Sequence, residues 1–273
     1  MISINTNYGG VFAAKASSQS QQVIDEAMLR LSTGKRINNA RDDSAGLAIA
    51  VRLTAQVEAL AVASRNAADA QSMLDTAEGS MTEIHTLLLR MRELAVQSAN
   101  GTLTDNDRDH TDAEFQQLEA EITRISDNTK WAGKALINGS ATSLSFQIGE
   151  NASQTISVTI ADMAASATGL ALDDDDLQTA ASAQTAISAL DTAIATVSTE
   201  RGKLGAVSNR LTSTMANLDN IAISLSASKG RIEDADFAAE TGNLAKGQIL
   251  QQAAMAMLAQ ANASKQQILT LIQ

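Results

Sequence analysis

From Ile187 to Leu225 one run of residues recurs at steps that alternate three and four without a break: Ile187, Leu190, Ile194, Val197, Arg201, Leu204, Ser208, Leu211, Met215, Leu218, Ala222 and Leu225. That spacing is the seam of a helix lying along another helix. A second run, Leu74, Ala77, Met81, Ile84, Leu88, Met91, Ala95 and Ser98, keeps the same rhythm, and Leu47, Val51, Ala55 and Leu60 extend it upstream less strictly. Proline, the residue that most reliably stops a helix, is absent from all 273 residues, so long uninterrupted helices are permitted. Aromatics make up only 2% of the chain. A core must therefore be built from Ala, Leu, Ile, Val and Met between closely spaced helices.

A helix over Asp43 to Ser98 spans about 80 Å at 1.5 Å per residue. Asn100-Gly101 follows it and is expected to supply a left-handed C-cap. Thr104 to Asp107 reads as a capping box with Asp in the place of Glu, and Phe115, Leu118, Ile122 and Ile125 continue a second helix that folds back. Beyond Trp131 two short alternating segments, 144–148 and 155–160, predict a β-hairpin, and a loop around Asp173 to Asp176 leads into the next helix. At the two ends, Val23, Ile24, Met28 and Leu31 match Leu250, Met257, Leu258, Ile268 and Leu269 as apolar stripes. The expected fold is mainly α: a long antiparallel helical coiled-coil rod with a small β-hairpin, its termini paired as helices.

Several function classes are excluded by composition. A net charge of −11 and a pI near 4.6 oppose binding to a phosphate backbone or an anionic membrane surface. Without cysteine there are no disulfides, thiolate nucleophiles or Cys-ligated metals. The N-terminus lacks the basic and apolar regions of a cleavable signal, and no stretch of 18 consecutive apolar residues occurs. His85 and His110 fall on different predicted helices. The Asp105 to Asp112 segment has a calcium-loop rhythm, but His110 and Gln116 stand where an EF-hand needs Gly and Glu; an acidic helix N-terminus explains it. The Asp173 to Asp176 run reads as a solvated loop. No phosphate loop, nucleophile elbow or metal-binding His pair is present, so neither catalysis nor a cofactor is expected.

Two features call for a function. Arg201 and Ser208 intrude on the long seam beside Gly202 and Gly205, each glycine costing a helix about 1 kcal/mol relative to Ala; they are expected to let helices approach closely and to form a switching segment with two packings. The terminal segments are too weakly apolar to form a core alone. They are expected to be largely disordered in the monomer and to become helical against copies of themselves, with their stripes as the assembly interface.

The runs LSTGKRINNARDDSAGLAIAVRLTAQ (31–56), RNAADAQSMLDTAEGSMTEIHTLLLRMRELAVQSANGT (65–102) and KGRIEDADFAAETGNLAKGQILQQAAMAMLAQAN (229–262), with the terminal ILTLIQ, resemble bacterial flagellin. The resemblance spans residues 1 to about 140 and about 178 to 273. It implies a structural subunit, not an enzyme, that is exported unfolded by the flagellar type III system and polymerises into the extracellular filament used for swimming. It further implies a terminal coiled-coil domain lining an inner tube (1–41 plus 235–273), a helical rod domain (42–140 plus 177–234), and a hairpin with a short loop (141–176) where longer members carry a variable domain. The partners implied are the chain itself, a flagellin export chaperone held by the C-terminal stripe, the filament cap protein and the hook–filament junction protein, with no nucleic acid and no membrane. The LLRMRELAVQ segment and a nearby Glu also match the region that Toll-like receptor 5 contacts in this family, placing Arg90, Leu94 and Glu114 at that site; Leu89 stands where many members have Gln, and Lys265 where some have Pro. Two alternatives share the helical ends: a hook–filament junction protein, and a flagellin-like surface protein that binds polysaccharide, for which one Trp and one Tyr offer little stacking platform.

Overall fold

The computed structural model describes residues 6–140, 143–166, 169–173 and 175–272, with the side chains of 265–272 excepted. Helix α1 (Tyr8–Thr33) begins where the Asn7 side chain accepts a hydrogen bond from the Gly10 N–H at 3.0 Å, and stops at Gly34, whose φ of 71° favours a residue without Cβ. Helix α2 (Ser44–Ser98) starts beyond Asp43, whose carboxylate accepts from the Gly46 N–H at 2.8 Å. Helix α3 (Asp105–Asn128) opens with the expected capping box: Thr104 and Asp107 each accept from the other's backbone N–H. Helices α4 (Ala180–Glu233) and α5 (Phe237–Ile272) complete the helical part.

The hairpin expected in the middle is present as β3 (Leu144–Gln147) paired antiparallel with β4 (Thr155–Val158), in a register that sets Phe146 opposite Ile156. A second pair, β1 (Lys130–Trp131) with β2 (Lys134–Ala135), has no counterpart in the sequence reading. Its two-residue turn holds both Ala132 (φ 47°) and Gly133 (φ 82°) in the left-handed region, the geometry that matches strand twist in a tight hairpin.

The chain forms two compact units, one of Met1–Val57 with Ile223–Gln273 and one of Glu58–Ala222. In the second unit, all eight residues of the Leu74 to Ser98 seam are buried. Ion pairs fix the direction of packing: Arg92 meets Asp191 at 2.6 Å and Glu78 meets Arg201 at 2.6 Å, so α2 and α4 run antiparallel. Arg90 with Glu114, and Ser80 with Thr129, do the same for α2 and α3. The core is continuous from Met81, Leu88 and Met91 through Phe115 and Ile122 to Leu190, Val197 and Leu204, and it includes Ile156 and Val158 of the hairpin. The segment after the hairpin is packed rather than loose. Met163, Leu170, Leu172 and Leu177 are buried there, and Leu172 N–H donates to Ala165 O at 2.8 Å. Buried hydroxyls find partners, as burial demands: the Ser98 hydroxyl donates to Leu177 O at 2.7 Å, and the Ser126 hydroxyl to Ile137 O at 2.8 Å.

Three sequence expectations change. Gly101 is not left-handed; the end of α2 is closed instead by the Arg108 guanidinium, whose Nε and Nη2 donate to Ser98 O and Asn100 O, each at 3.1 Å. A buried cation thus satisfies the orphan carbonyls and complements the negative helix end. Upstream in α2 the buried face is Ala50, Leu53, Leu60 and Ala63, while Val51 is exposed, because an untwisted helix drifts off a heptad count. Finally, nothing lies within 4 Å of a Cβ built on Gly202 or Gly205, so these glycines do not mediate a close helix approach.

Candidate assembly and recognition surfaces

In the first unit α1 and α5 pack as an antiparallel pair. Polar contacts mark the register along its length: Asn7 Nδ2 donates to Asn262 Oδ1 at 3.1 Å, Gln251 Nε2 to Gln21 Oε1 at 2.6 Å, and Arg30 Nη1 to Glu240 Oε1 at 2.9 Å. The buried face of α1 is Gly10, Ala13, Ser20, Ile24 and Ala27, and that of α5 includes Glu240, Gly247 and Ala254. Small residues let the two backbones approach: a Cβ on Gly247 would lie 2.8 Å from Ile24 Cγ1. Beyond the helix pair, Lys35 and Asp234 form an antiparallel bridge, with Arg36 N–H donating to Glu233 O at 2.7 Å and Ala235 N–H to Gly34 O at 2.9 Å. The segment after α1 is thereby stitched to the segment after α4.

With small residues facing inward, large ones are left outside. Phe12 is 76% exposed, Tyr8 73%, Ile249 66% and Met257 64%, and the groove along the pair, about 780 Å³, is lined by Phe12, Val23, Leu250 and Met257 among others. Of the stripe residues expected from the sequence, Val23, Met28, Leu250 and Met257 are exposed, Ile24 is buried between the helices, and Leu31 and Leu258 are half-buried. The side chains of Ile268 and Leu269 lie outside the described residues. Stripe counting missed Tyr8, Val11 and Phe12 on α1 and Phe237 and Ile249 on α5, all exposed. The signal that finds them is apolar residues on more than one side of a thin helix. Part of α2 behaves alike: one 18-residue window is apolar enough by length and composition to cross a membrane, yet only 17% of it is buried.

The second unit carries the other two expected sites. Arg90 donates from Nε and Nη2 to Glu114 Oε1 at 3.0 and 2.8 Å, and from Nη1 to Glu93 Oε2 at 3.1 Å. The Glu114 carboxylate, with Glu93 beside it, raises the Arg90 pKa. Arg90 and Glu114 therefore sit together on the surface, whereas Leu94, only 2% exposed, is in the core and Leu89 is exposed beside the pair. At the seam intrusion, Arg201 donates from Nε and Nη2 to Glu78 Oε1 at 3.0 and 2.6 Å. A glycine directly follows each partner, Gly79 after Glu78 and Gly202 after Arg201, and neither would meet an atom within 4 Å if given a Cβ. Ser208 is half-buried on the same seam.

Carboxylates gather where α3 meets the segment before α4. Asp112 Oδ1 accepts from Leu177 N–H at 2.8 Å, and Glu119 is raised above its ordinary pKa by burial and by the nearby Asp173, Asp175 and Asp112. Among the described residues no three His, Cys, Asp or Glu side chains converge as metal ligands.

Residues 4–142 match the family model for the bacterial flagellin N-terminal helical region, and residues 187–272 that for the C-terminal helical region. A flagellin of Halalkalibacterium halodurans is 43% identical over 90% of this chain and 91% of its own length. A flagellin of Bacillus subtilis is 39% identical over 98% of this chain and 99% of its own. Among solved structures, Bacillus cereus flagellin superposes with a TM-score of 0.51 at 34% identity, covering 56% of this chain and 88% of that one. A putative flagellar hook-associated protein from Vibrio parahaemolyticus shares the fold, with a TM-score of 0.60 at 16% identity over 71% of this chain and all of that one.

Proposed function

The chain belongs to the bacterial flagellin family, and on that premise we propose that the exposed apolar face of the α1/α5 pair is where it joins its own copies. A flagellin is a structural protein, not an enzyme; this one is a subunit that polymerises into the extracellular flagellar filament and serves motility.

The observation that carries the interface reading is the inversion of burial in the first unit: Ala13, Ala27 and Gly247 lie inside while Phe12, Ile249 and Met257 lie outside. Apolar side chains this exposed gain about 25 cal/mol per Å² when covered, and copies packed around a tube cover them on several sides. On this reading 1–41 with 235–273 line the inner tube, 42–140 with 177–234 form the rod, and 141–176 is the short hairpin segment in place of a variable domain. The same faces, with Ile268 and Leu269, engage the export chaperone before assembly, as an amphipathic helix in a groove. The chain is exported unfolded and is placed between the hook–filament junction protein and the cap protein. With terminal helices that pay about 1–2 kcal/mol of backbone entropy per residue to order, folding of the ends and assembly form one event.

The test is seeded polymerisation of Phe12→Ser combined with Met257→Ser. Wild type should extend seeds into filaments of constant diameter by electron microscopy, and the double variant should remain monomeric with its second unit folded. Normal filaments from the variant overturn this reading. Toll-like receptor 5 is the proposed host partner, through the Arg90–Glu114 pair with Leu94 supporting it from beneath. Arg90→Ala should cost roughly 2 kcal/mol or more of binding if this is an interface hot spot, and equal signalling by variant and wild type removes the pair from the site.

A further inference from the structure

We propose that the Asn100–Gly101 step, at the turn between α2 and α3, is a self-modification site at which Asn100 deamidates through a cyclic imide, promoted by Arg108. In this reaction the Gly101 nitrogen attacks Asn100 Cγ. A nitrogen–carbon bond forms, the Cγ–Nδ2 bond breaks, and the nitrogen that leaves departs as ammonia with the proton from Gly101. Water then opens the imide. Cleavage at Cγ leaves aspartate, and cleavage at the backbone carbonyl leaves an isoaspartyl linkage, with one carbon added to the main chain.

Both reacting atoms are activated by contacts the fold supplies. The attacking nitrogen must lose its proton, and an amide N–H becomes more acidic when a cation holds the oxygen of the same peptide group. That oxygen is Asn100 O, which accepts from Arg108 Nη2 at 3.1 Å. Arg108 is only 7% exposed and is anchored by Ser98 O at 3.1 Å and Asp105 at 3.3 Å, so its charge is fixed at this peptide. The charge-assisted bond is of the stronger kind. The electrophile is polarised in turn, because Asn100 Oδ1 accepts from the Thr102 N–H at 3.2 Å, which draws electrons away from Cγ and holds it beside Gly101. Access is open: Asn100 and Gly101 are both exposed, and a Cβ on Gly101 would meet nothing within 4 Å.

The chain contains its own control. Asn138-Gly139 is the same dipeptide, and Asn138 Oδ1 likewise accepts from the Ser140 N–H at 3.2 Å. There, however, both residues are half-buried, Gly139 is held at φ 76°, and the Asp162 carboxylate lies 3.1 Å from where a Gly139 Cβ would stand. An anion beside Gly139 opposes the negative charge the nitrogen must acquire. Equal chemistry with opposite electrostatics predicts unequal rates. In a filament outside the cell the Asn100 product accumulates with age and places a carboxylate, or a lengthened backbone, against the buried guanidinium.

The experiment incubates the purified full-length chain at mildly alkaline pH and follows both peptides by mass spectrometry and by isoaspartyl methyl-acceptor assay. The Asn100 peptide should gain one mass unit at least ten-fold faster than the Asn138 peptide. In concentrated urea, where the contacts are lost, the two rates should converge. Arg108→Lys, which keeps the charge but loses the fork, should slow Asn100 several-fold with Asn138 unchanged, and should that variant unfold, the comparison of native and urea-treated wild type decides alone. Equal native rates, or a faster Asn138, overturn the proposal.

Discussion

The two units of this chain differ in where their large apolar residues go. In Glu58–Ala222 the interior takes in large side chains alongside alanines, with Met81, Ile84, Leu88, Met91, Phe115 and Ile122 fully inaccessible. In the unit formed by the ends of the chain, the α1/α5 contact is made of Gly, Ala and Ser with Ile24, and the large apolar groups face outward. The difference teaches where each unit gets its stability. One completes its burial within a single chain, and the other leaves burial to be completed by neighbours.

Truncation should separate the two most sharply. Leu88→Ala in the second unit removes a fully buried side chain and is expected to cost about 2–5 kcal/mol, visible as a lower thermal midpoint of the monomer. Leu250→Ser on α5 should change monomer stability by about 0.5 kcal/mol or less, as exposed positions do, while lowering seeded filament growth severely. A monomer that tolerates Leu88→Ala, or filaments indifferent to Leu250→Ser, would break the comparison.

Glycine substitutions sharpen it in both directions. Gly247→Ala introduces a methyl 2.8 Å from Ile24 Cγ1 and should push α1 from α5 at a cost of about 1–3 kcal/mol, read as lost helicity of the ends in assembled filaments. Gly202→Ala meets nothing within 4 Å and should raise the thermal midpoint by about 1 kcal/mol equivalent. With Gly205→Ala it should also lock the filament waveform, if the stretch around the Arg201–Glu78 pair has two packings separated by a few kcal/mol; waveforms that still respond to pH and salt would exclude that role.

Acid should act on the two units with opposite sign. The Arg30 guanidinium holds the Glu240 carboxyl below its ordinary value of 4.5, so its stabilisation of the α1/α5 pair is complete above that value and is lost as pH falls through the depressed folded-state pKa. Glu240→Gln should flatten this acid-induced loss of terminal helicity, measured by circular dichroism on assembled filaments. Glu119 is shifted the other way, above 4.5, by burial and by Asp173, Asp175 and Asp112. Its charge therefore costs stability once pH rises through the raised folded-state pKa, and protonation relieves that cost. Glu119→Gln should thus be slightly more stable than wild type at neutral pH, with the advantage vanishing on acidification; an advantage independent of pH would assign the gain to something other than charge.

How much of this was legible in advance depended on whether the cause was local. The seam from Leu74 to Ser98 is buried at every position, and the Thr104–Asp107 box closes as its spacing implies, because helix period and capping involve neighbours a few residues apart. The strands β1 and β2 were not legible: their turn puts Ala132 at φ 47°, and alanine carries no preference for that region. Nor was the Arg108 cap. Its partners are carbonyls across a turn, and composition around Asn100-Gly101 pointed to the glycine instead. Arg90 and Glu114 could be named from the resemblance, but that they pair on the surface over a buried Leu94 is a fact of packing.

The sequence by itself determined the helices, the start of α3 at Thr104, the small hairpin and the family, since periodicity, caps and motif runs are written in the order of residues. Only the tertiary structure decided which side of each thin helix is inside. Val23 and Ile24 are adjacent and equally apolar, yet one is exposed and the other buried, because the close approach of α5 at Gly247 selects one face of α1 and leaves the other open. Apolarity favours burial without direction, and direction comes from the partner that arrives.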